Sequence, residues 1–347
     1  MPSASAPAPI APLPPEPGQS RAIAPGVRWI RMGLPFVLDH INLWAIEDGE
    51  GWTIVDTGVQ HPAVVAAWER LLVEDLGGRP VVRVIATHMH PDHAGLAGWL
   101  AERFHCRLWM TRTEYLTART IAYRRGDEPV QGIEDFFRRA GWKPDEIETY
   151  RARRLGIGRL YAGLPDAYRR IRDGEEIAIG GRLWRVIAGG GHTAEHACLY
   201  CAELDLLISG DKVLPKISSN ISVDATEPDA DPVSEWFDTL GRIRAQVPNS
   251  ALVLPSHKNS FYGPHARIDE LIGEQRDALG RLCVALAEPK RVIDLFGLLF
   301  NRPIERSDNS LFSLATSETI ALLNHLLVTG AITSSIADDG VEYYRAR

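Results

Sequence analysis

Three histidines and an aspartate fall within six positions of one another: His88, His90, Asp92 and His93, in the stretch Val84 to Gly95. Neutral imidazoles and a carboxylate at this spacing suit Zn²⁺ and neighbouring first-row metals. The run before them, Val81 to Ala86, is largely apolar and rich in Val, the pattern of a buried strand. Side chains two apart on a strand face the same way, so His88 and His90 are expected to converge on one point. Pro91 cannot continue a ladder, so the chain should turn there and bring Asp92 and His93 in from a loop. Scattered surface histidines are the competing explanation. Four metal-ligating residue types in six positions at a strand end argue instead for a metal centre.

The elements that must position these residues are legible in outline. Val27 to Met32, His40 to Glu47 and Gly51 to Val55 read as an antiparallel opening sheet, separated by turn residues. The third of these strands ends in Asp56-Thr57-Gly58, a turn by composition. Pro62 to Leu72 carries Val64, Val65, Trp68, Leu71 and Leu72 on one stripe and reads as a helix, as does Gly95 to Phe104. Thr113 to Arg125 and Ile133 to Arg139 are further helices, and Arg151 to Arg172 is dense in Arg and Tyr. Tyr115, Tyr123, Phe136, Phe137, Tyr161 and Tyr168 could line a pocket, but aromatics at helical spacing are more often core. Strands resume at Glu176 to Ile179 and Arg182 to Ala188, joined through Gly180-Gly181. G-G-G-H-T-A-E-H follows, with His192 and His196, its glycines letting the backbone come close to the site. Leu204 to Ser209 is a buried strand that ends in Gly210-Asp211, and Leu252 to Pro255 is the last, followed by Ser256-His257. Beyond Pro264 the pattern is helical: a stripe from Ile268 to Leu286, then Lys290 to Phe300 and Thr316 to Gly330, with a hairpin over Ile332 to Arg345.

Chain-wide properties bound the function. At 347 residues, one large domain and a smaller one are expected. A 45% hydrophobic and 24% charged composition is that of a soluble globular protein. No stretch reaches the roughly 20 apolar residues of a bilayer span, and no basic and apolar leader opens the chain. Residues 1–20, rich in Pro and Ala, read as a flexible tail. Cys198 and Cys201 lie in an apparent strand with their side chains on different faces, so they read as packing and a reducing cytoplasm is expected. The net charge of −7 argues against a polyanionic partner.

His-X-His-X-Asp-His after a buried strand resembles the signature of the metallo-β-lactamase superfamily, the glyoxalase II-like fold. The resemblance implies an α/β, four-layer αββα sandwich over residues 21–264. In it, residues 107–172 would be a helical insertion over the mouth of the site. It further implies that His88, His90 and His192 hold one metal, that Asp92, His93 and His257 hold the other, and that Asp211 bridges them. Two Zn²⁺ are expected, with iron or manganese as alternatives. Asp56 matches an aspartate that supports the metal site from behind its ligands, and His196 matches a histidine that is not a ligand. Many relatives carry Gly after the last histidine, where this chain has Lys258.

The implied reaction is hydrolysis at a carbonyl by a hydroxide bridging the metals, with Asp92 and Asp211 as catalytic carboxylates. The His192/His196 pair leans toward thioesterases, so the expected substrate is a small thioester, ester or lactone. A phosphodiesterase or ribonuclease of the same superfamily, and a β-lactamase-like activity, are the alternatives. Residues 265–347 resemble the winged-helix tail of one branch of the superfamily. That segment holds nine Lys and Arg against twelve Asp and Glu, which argues against nucleic acid and for a cap packed on the catalytic domain or a dimer partner.

Overall fold

The computed structural model describes residues 11–36, 38–124 and 131–347. The chain opens with β1 (Gln19–Ala24), β2 (Val27–Gly33), β3 (His40–Asp48) and β4 (Gly51–Val55), an antiparallel meander. Strand β1 starts inside the segment expected to be a flexible tail, anchored by Gly18 N–H on Arg31 O and Ser20 N–H on Asp75 Oδ2. Residues 1–10 of that tail lie outside the described residues. Helix α1 (Pro62–Glu74) buries Val64, Trp68, Leu71 and Leu72 and leads into β5 (Val81–Ile85), which pairs parallel with β4.

Past β5 come the one-turn helix α2 (Pro91–Ala94), α3 (Ala97–Phe104) and β6 (Arg107–Met110). Next are α4 (Arg112–Ala122), α5 (Gln131–Arg139), α6 (Pro144–Ile157) and β7 (Arg169–Arg170). The expected end of the first insertion helix, Arg125, lies outside the described residues. Strands β6 and β7 continue the first sheet in parallel, so the excursion from the sheet is shorter than 107–172. Then come β8 (Glu176–Ile179), β9 (Arg182–Gly189), β10 (His196–Cys201) and β11 (Leu206–Gly210). They are followed by α7 (Pro232–Gln246), β12 (Leu252–Pro255) and β13 (Phe261–Tyr262). Among the described residues, the first sheet runs in the order β1 to β7 and the second in the order β13-β12-β11-β10-β9-β8.

The two sheets pack face to face through Trp29, Trp44, Val55, Ile85, Trp184, Val186, Leu199 and Ile208. Alternation along each strand turns the intervening residues outward, against helices. Ile54, Val84 and Leu108 meet Trp68 and Leu100 on one side; Cys198, Leu207 and Val253 meet Trp236 and Leu240 on the other. This is the αββα order. The neighbours Cys198 and Cys201 fall into different cores, as strand alternation requires.

The chain ends with α8 (Pro264–Ala285), a 3₁₀ turn, the short α9 (Phe296–Leu299), α10 (Asn309–Val328) and a hairpin of β14 (Ile332–Ile336) and β15 (Glu342–Ala346). These elements share one apolar core with α7, with the outer face of the second sheet, and with Phe136, Phe137 and Trp142 of the insertion. Trp142 Nε1–H donates to Thr316 Oγ1 at 2.9 Å, and Arg139 pairs with Glu342 at 2.7 Å. The insertion thus clasps the C-terminal segment. Helix α10 corrects one expectation, because its 20 residues are apolar enough to cross a membrane by length and composition. In this fold 61% of that stretch is buried as the central helix of the C-terminal core. Among the aromatics, Phe136 and Phe137 are core, Tyr115 stacks on Tyr168 at 3.8 Å, and Tyr161 donates its hydroxyl to Met89 O.

Candidate metal centre

Strand β5 stops at Ile85, and residues 87–90 form a bend before α2, whose first position is Pro91. Proline is tolerated there because that N–H would be unpaired anyway. His88 and His90 therefore lie beyond the strand, and strand alternation is not what joins them. His88 presents Nε2 and His90 presents Nδ1, 2.9 Å apart. Asp92 and His93 come from the helical turn, not from an irregular loop.

His192, in the bend three residues past the end of β9, brings its Nε2 to 3.1 Å from His90 Nδ1. The glycines before it serve a different neighbour from the one expected. A Cβ on Gly190 would lie 1.7 Å from Glu235 Oε2, and one on Gly191 would lie 2.8 Å from Trp236 Cβ, so they admit α7. Asp211, just past β11, places Oδ2 3.5 Å from His192 Nε2 and 3.6 Å from His93 Nε2. Its Oδ1 is 3.4 Å from His257 Nε2. Asp92 Oδ2 lies 3.5 Å from His93 Nε2 and 3.4 Å from His257 Nε2. The donors thus form two groups, His88/His90/His192/Asp211 and Asp92/His93/His257, with Asp211 touching both.

These separations fit cations. Ligand atoms around a tetrahedral ion at metal–ligand distances of about 2.0–2.2 Å stand roughly 3.4 Å apart. His93 Nε2 and Asp211 Oδ1 are buried without a hydrogen-bond partner, a costly state for polar atoms that a bound cation would relieve. Nitrogen and oxygen donors without sulfur suit borderline and hard divalent metals.

Protonation agrees with that reading. Burial, helped by His90, holds His192 down to about 3, and burial with its histidine neighbours keeps His88 well below its usual range. Their lone pairs are free. Burial alone would raise Asp92, but His93 and His257 outweigh it and bring the carboxyl to about 2. Burial would likewise lower His257, yet Asp211 and Asp92 carry it up to about 10. Protons held against carboxylates in this way are what a metal displaces on binding.

The second nitrogen of each of three of these candidate donor rings is tied down, which selects the tautomer. His93 Nδ1–H donates to Asp56 Oδ2 at 2.8 Å, His192 Nδ1–H to Asn220 O at 2.8 Å, and His257 Nδ1–H to His40 O at 3.0 Å. Asp56, fully buried at φ +60°, also accepts Thr87 N–H on Oδ1 at 2.8 Å. His196 stands outside both donor groups. Its Nε2 accepts Asp211 N–H at 3.0 Å, and Gly210 is required there, since a Cβ would lie 2.4 Å from that nitrogen. Lys258 adopts φ +69°, the left-handed conformation that glycine takes without strain, and its carbonyl accepts Asn42 Nδ2–H at 2.8 Å.

Sequence reading missed several residues that the fold brings to the site. Asn220 donates Nδ2–H to Glu318 Oε2 at 2.7 Å, linking α10 to the His192 loop. Burial pushes the Glu318 carboxyl up to about 7. Glu114 accepts backbone N–H groups from two loops, that of His88 and His90 and that of His192. Neither glutamate lies in a recognisable motif.

Comparison with known proteins places this geometry. The family model for the metallo-beta-lactamase superfamily matches residues 37–257. The chain is 25% identical to a probable metallo-hydrolase, YqjP, of Bacillus subtilis, over 88% of this chain and 93% of that protein. It is 26% identical to the acyl-coenzyme A thioesterase MBLAC2 of Homo sapiens, over 70% of this chain and 81% of that one. Among solved structures, a beta-lactamase domain protein from Burkholderia ambifaria superposes with a TM-score of 0.88 and 39% identity, covering 97% of this chain and 96% of its own. A metallo-beta-lactamase family protein of Thermus thermophilus gives a TM-score of 0.78 at 25% identity, over 94% and 100%.

Proposed function

Because the chain belongs to the metallo-beta-lactamase superfamily and is a hydrolase of that superfamily, we propose that it cleaves a small-molecule thioester or a related ester or lactone at two metal ions. The observation that carries this reading is the pair of donor groups that Asp211 approaches together, with His93 Nε2 and Asp211 Oδ1 buried and making no hydrogen bond. Two divalent cations bound there would make water nucleophilic at neutral pH and polarise the substrate carbonyl. His88, His90 and His192 would hold one and Asp92, His93 and His257 the other, with Asp211 between them.

The remaining work falls to this chain's own groups. Asp56, Asn220 O and His40 O orient three of the ligand rings, and His196 fixes the backbone that carries Asp211. The Asp92 side chain is 19% exposed beside the fully buried His93, so it faces the solvent side of the cluster. In this reading it accepts a hydrogen bond from the attacking water and orients it, a role secondary to holding the metal. A thiolate leaves without needing a proton donor. The preference for a thioester is supported by the resemblance to the human acyl-coenzyme A thioesterase and by His196, which takes the non-ligand place of the glyoxalase II-like pattern.

Residues 265–347 serve, in this reading, as a winged-helix-like cap. Support comes from their shared core with α7 and the insertion and from their excess of acidic over basic residues. The test is a screen of the metal-loaded enzyme on acyl thioesters, lactones, cephalosporins and phosphodiesters. Turnover of a thioester or lactone is the expected outcome. Turnover of phosphodiesters alone would overturn the carbonyl assignment.

A further inference from the structure

We propose that Glu114, a residue of the helix after β6, is a positioning residue that fixes the two ligand-bearing loops of the His88/His90/His192 site against each other. The inference rests on the metal reading above. Glu114 is 1% exposed, and both of its carboxylate oxygens are committed. Oε2 accepts the N–H of Met89 at 2.9 Å, and Oε1 accepts the N–H of Glu195 at 2.7 Å. Met89 stands between His88 and His90, and Glu195 stands between His192 and His196. One side chain therefore spans from the first ligand loop to the second, where His90 Nδ1 and His192 Nε2 meet at 3.1 Å.

The clamp is reciprocal. Glu195 Oε2 accepts Thr113 N–H from the start of α4 at 2.6 Å, and Glu195 O accepts the Thr111 hydroxyl at 2.8 Å. The bland alternative is a glutamate in the first turn of a helix that serves only that helix. The bonds contradict it, because both acceptor oxygens serve N–H groups of other segments, 25 and 81 residues away. Only a carboxylate offers an acceptor to both donors at once. Glutamine would turn one oxygen into an NH₂ facing a backbone N–H, and aspartate is one methylene shorter. A backbone donor in a ligand loop would then be left buried and unpaired.

The test uses the full-length chain, with Zn²⁺ and Co²⁺ as probes. Metal affinity is read by competition with a chromophoric chelator, alongside the Co²⁺ absorption spectrum and the melting temperature of chelator-treated protein. For E114Q the expected result is roughly 10- to 100-fold weaker binding of one metal equivalent, the scale of lost support to a ligand. A changed Co²⁺ spectrum should accompany it. A merely structural role predicts a lower melting temperature with affinities and spectrum unchanged, and that result overturns the proposal. If E114Q does not fold, T111V decides, since it removes one bond on the other side of the clamp. A weakened equivalent in T111V supports the proposal, and wild-type affinity overturns it. Wild-type protein that takes up no metal overturns the underlying metal reading and this inference with it, whereas metal-replete wild type with an indistinguishable E114Q sinks this inference alone.

Discussion

Replacing Asp56 by Asn isolates the support of one proposed metal ligand, His93. Asp56 Oδ2 accepts the His93 ring N–H at 2.8 Å, while Oδ1 accepts Thr87 N–H at 2.8 Å. Asn keeps the size and tolerates the left-handed backbone at φ +60°, so strain does not confound the comparison. It retains only one acceptor. Thr87 N–H is fixed in the backbone and keeps that oxygen, so the new NH₂ faces His93 Nδ1 and drives the ring to the tautomer protonated on Nε2. Nε2 is the buried nitrogen that must stay bare to bind. A hydrogen bond to a charged group is worth about 1.5–3 kcal/mol, which at about 1.4 kcal/mol per decade is a loss of about 10- to 100-fold. We expect D56N to lose metal affinity by that factor in chelator competition, and kcat/KM in proportion at limiting metal. Unaltered metal affinity in a folded D56N would refute the reasoning.

Asp211→Ala should weaken both metal equivalents together, by more than tenfold each, because Asp211 approaches ligands of both groups; selective loss of one equivalent would show that it is not shared. Burial pushes the Glu318 carboxyl from an ordinary 4.5 up to about 7, so the folded state favours its protonated form. Its stabilising contribution is complete below pH 4.5 and is lost as pH rises through about 7. E318Q should therefore show a smaller fall in melting temperature between pH 5 and 8 than wild type, and an equal fall would refute the assignment. Removing residues 264–347 should expose Trp142 and Phe237, whose rings meet Phe312 and His325, and give aggregated protein, as checked by size-exclusion chromatography; a soluble, equally stable fragment would contradict the shared core.

What the sequence disclosed and what it hid have separate physical causes. His88, His90, Asp92 and His93 stand out because they crowd the end of one apolar run, whereas His192, Asp211 and His257 are singled out by the resemblance to the superfamily signature, and each lies just past a strand in the fold. The hairpin at Gly180-Gly181 was legible for a local reason, since both residues take φ above zero. Strands β6 and β7 were not, because runs of four and two residues are defined by their parallel partners and not by their own pattern. The ring partners of His192 and His257 are backbone carbonyls of Asn220 and His40, which any residue type could supply. Glu114 and Glu318 act across long sequence separations from helices whose alignment only the tertiary fold provides. His88 and His90 do meet at 2.9 Å, but the bend after β5 brings them together and not the strand.

The most direct test of the two-centre claim is the metal content of purified, metal-reconstituted protein by elemental analysis. Close to two first-row transition-metal ions per chain are expected, one for each donor group. A single ion per chain at full occupancy would contradict the two-centre claim.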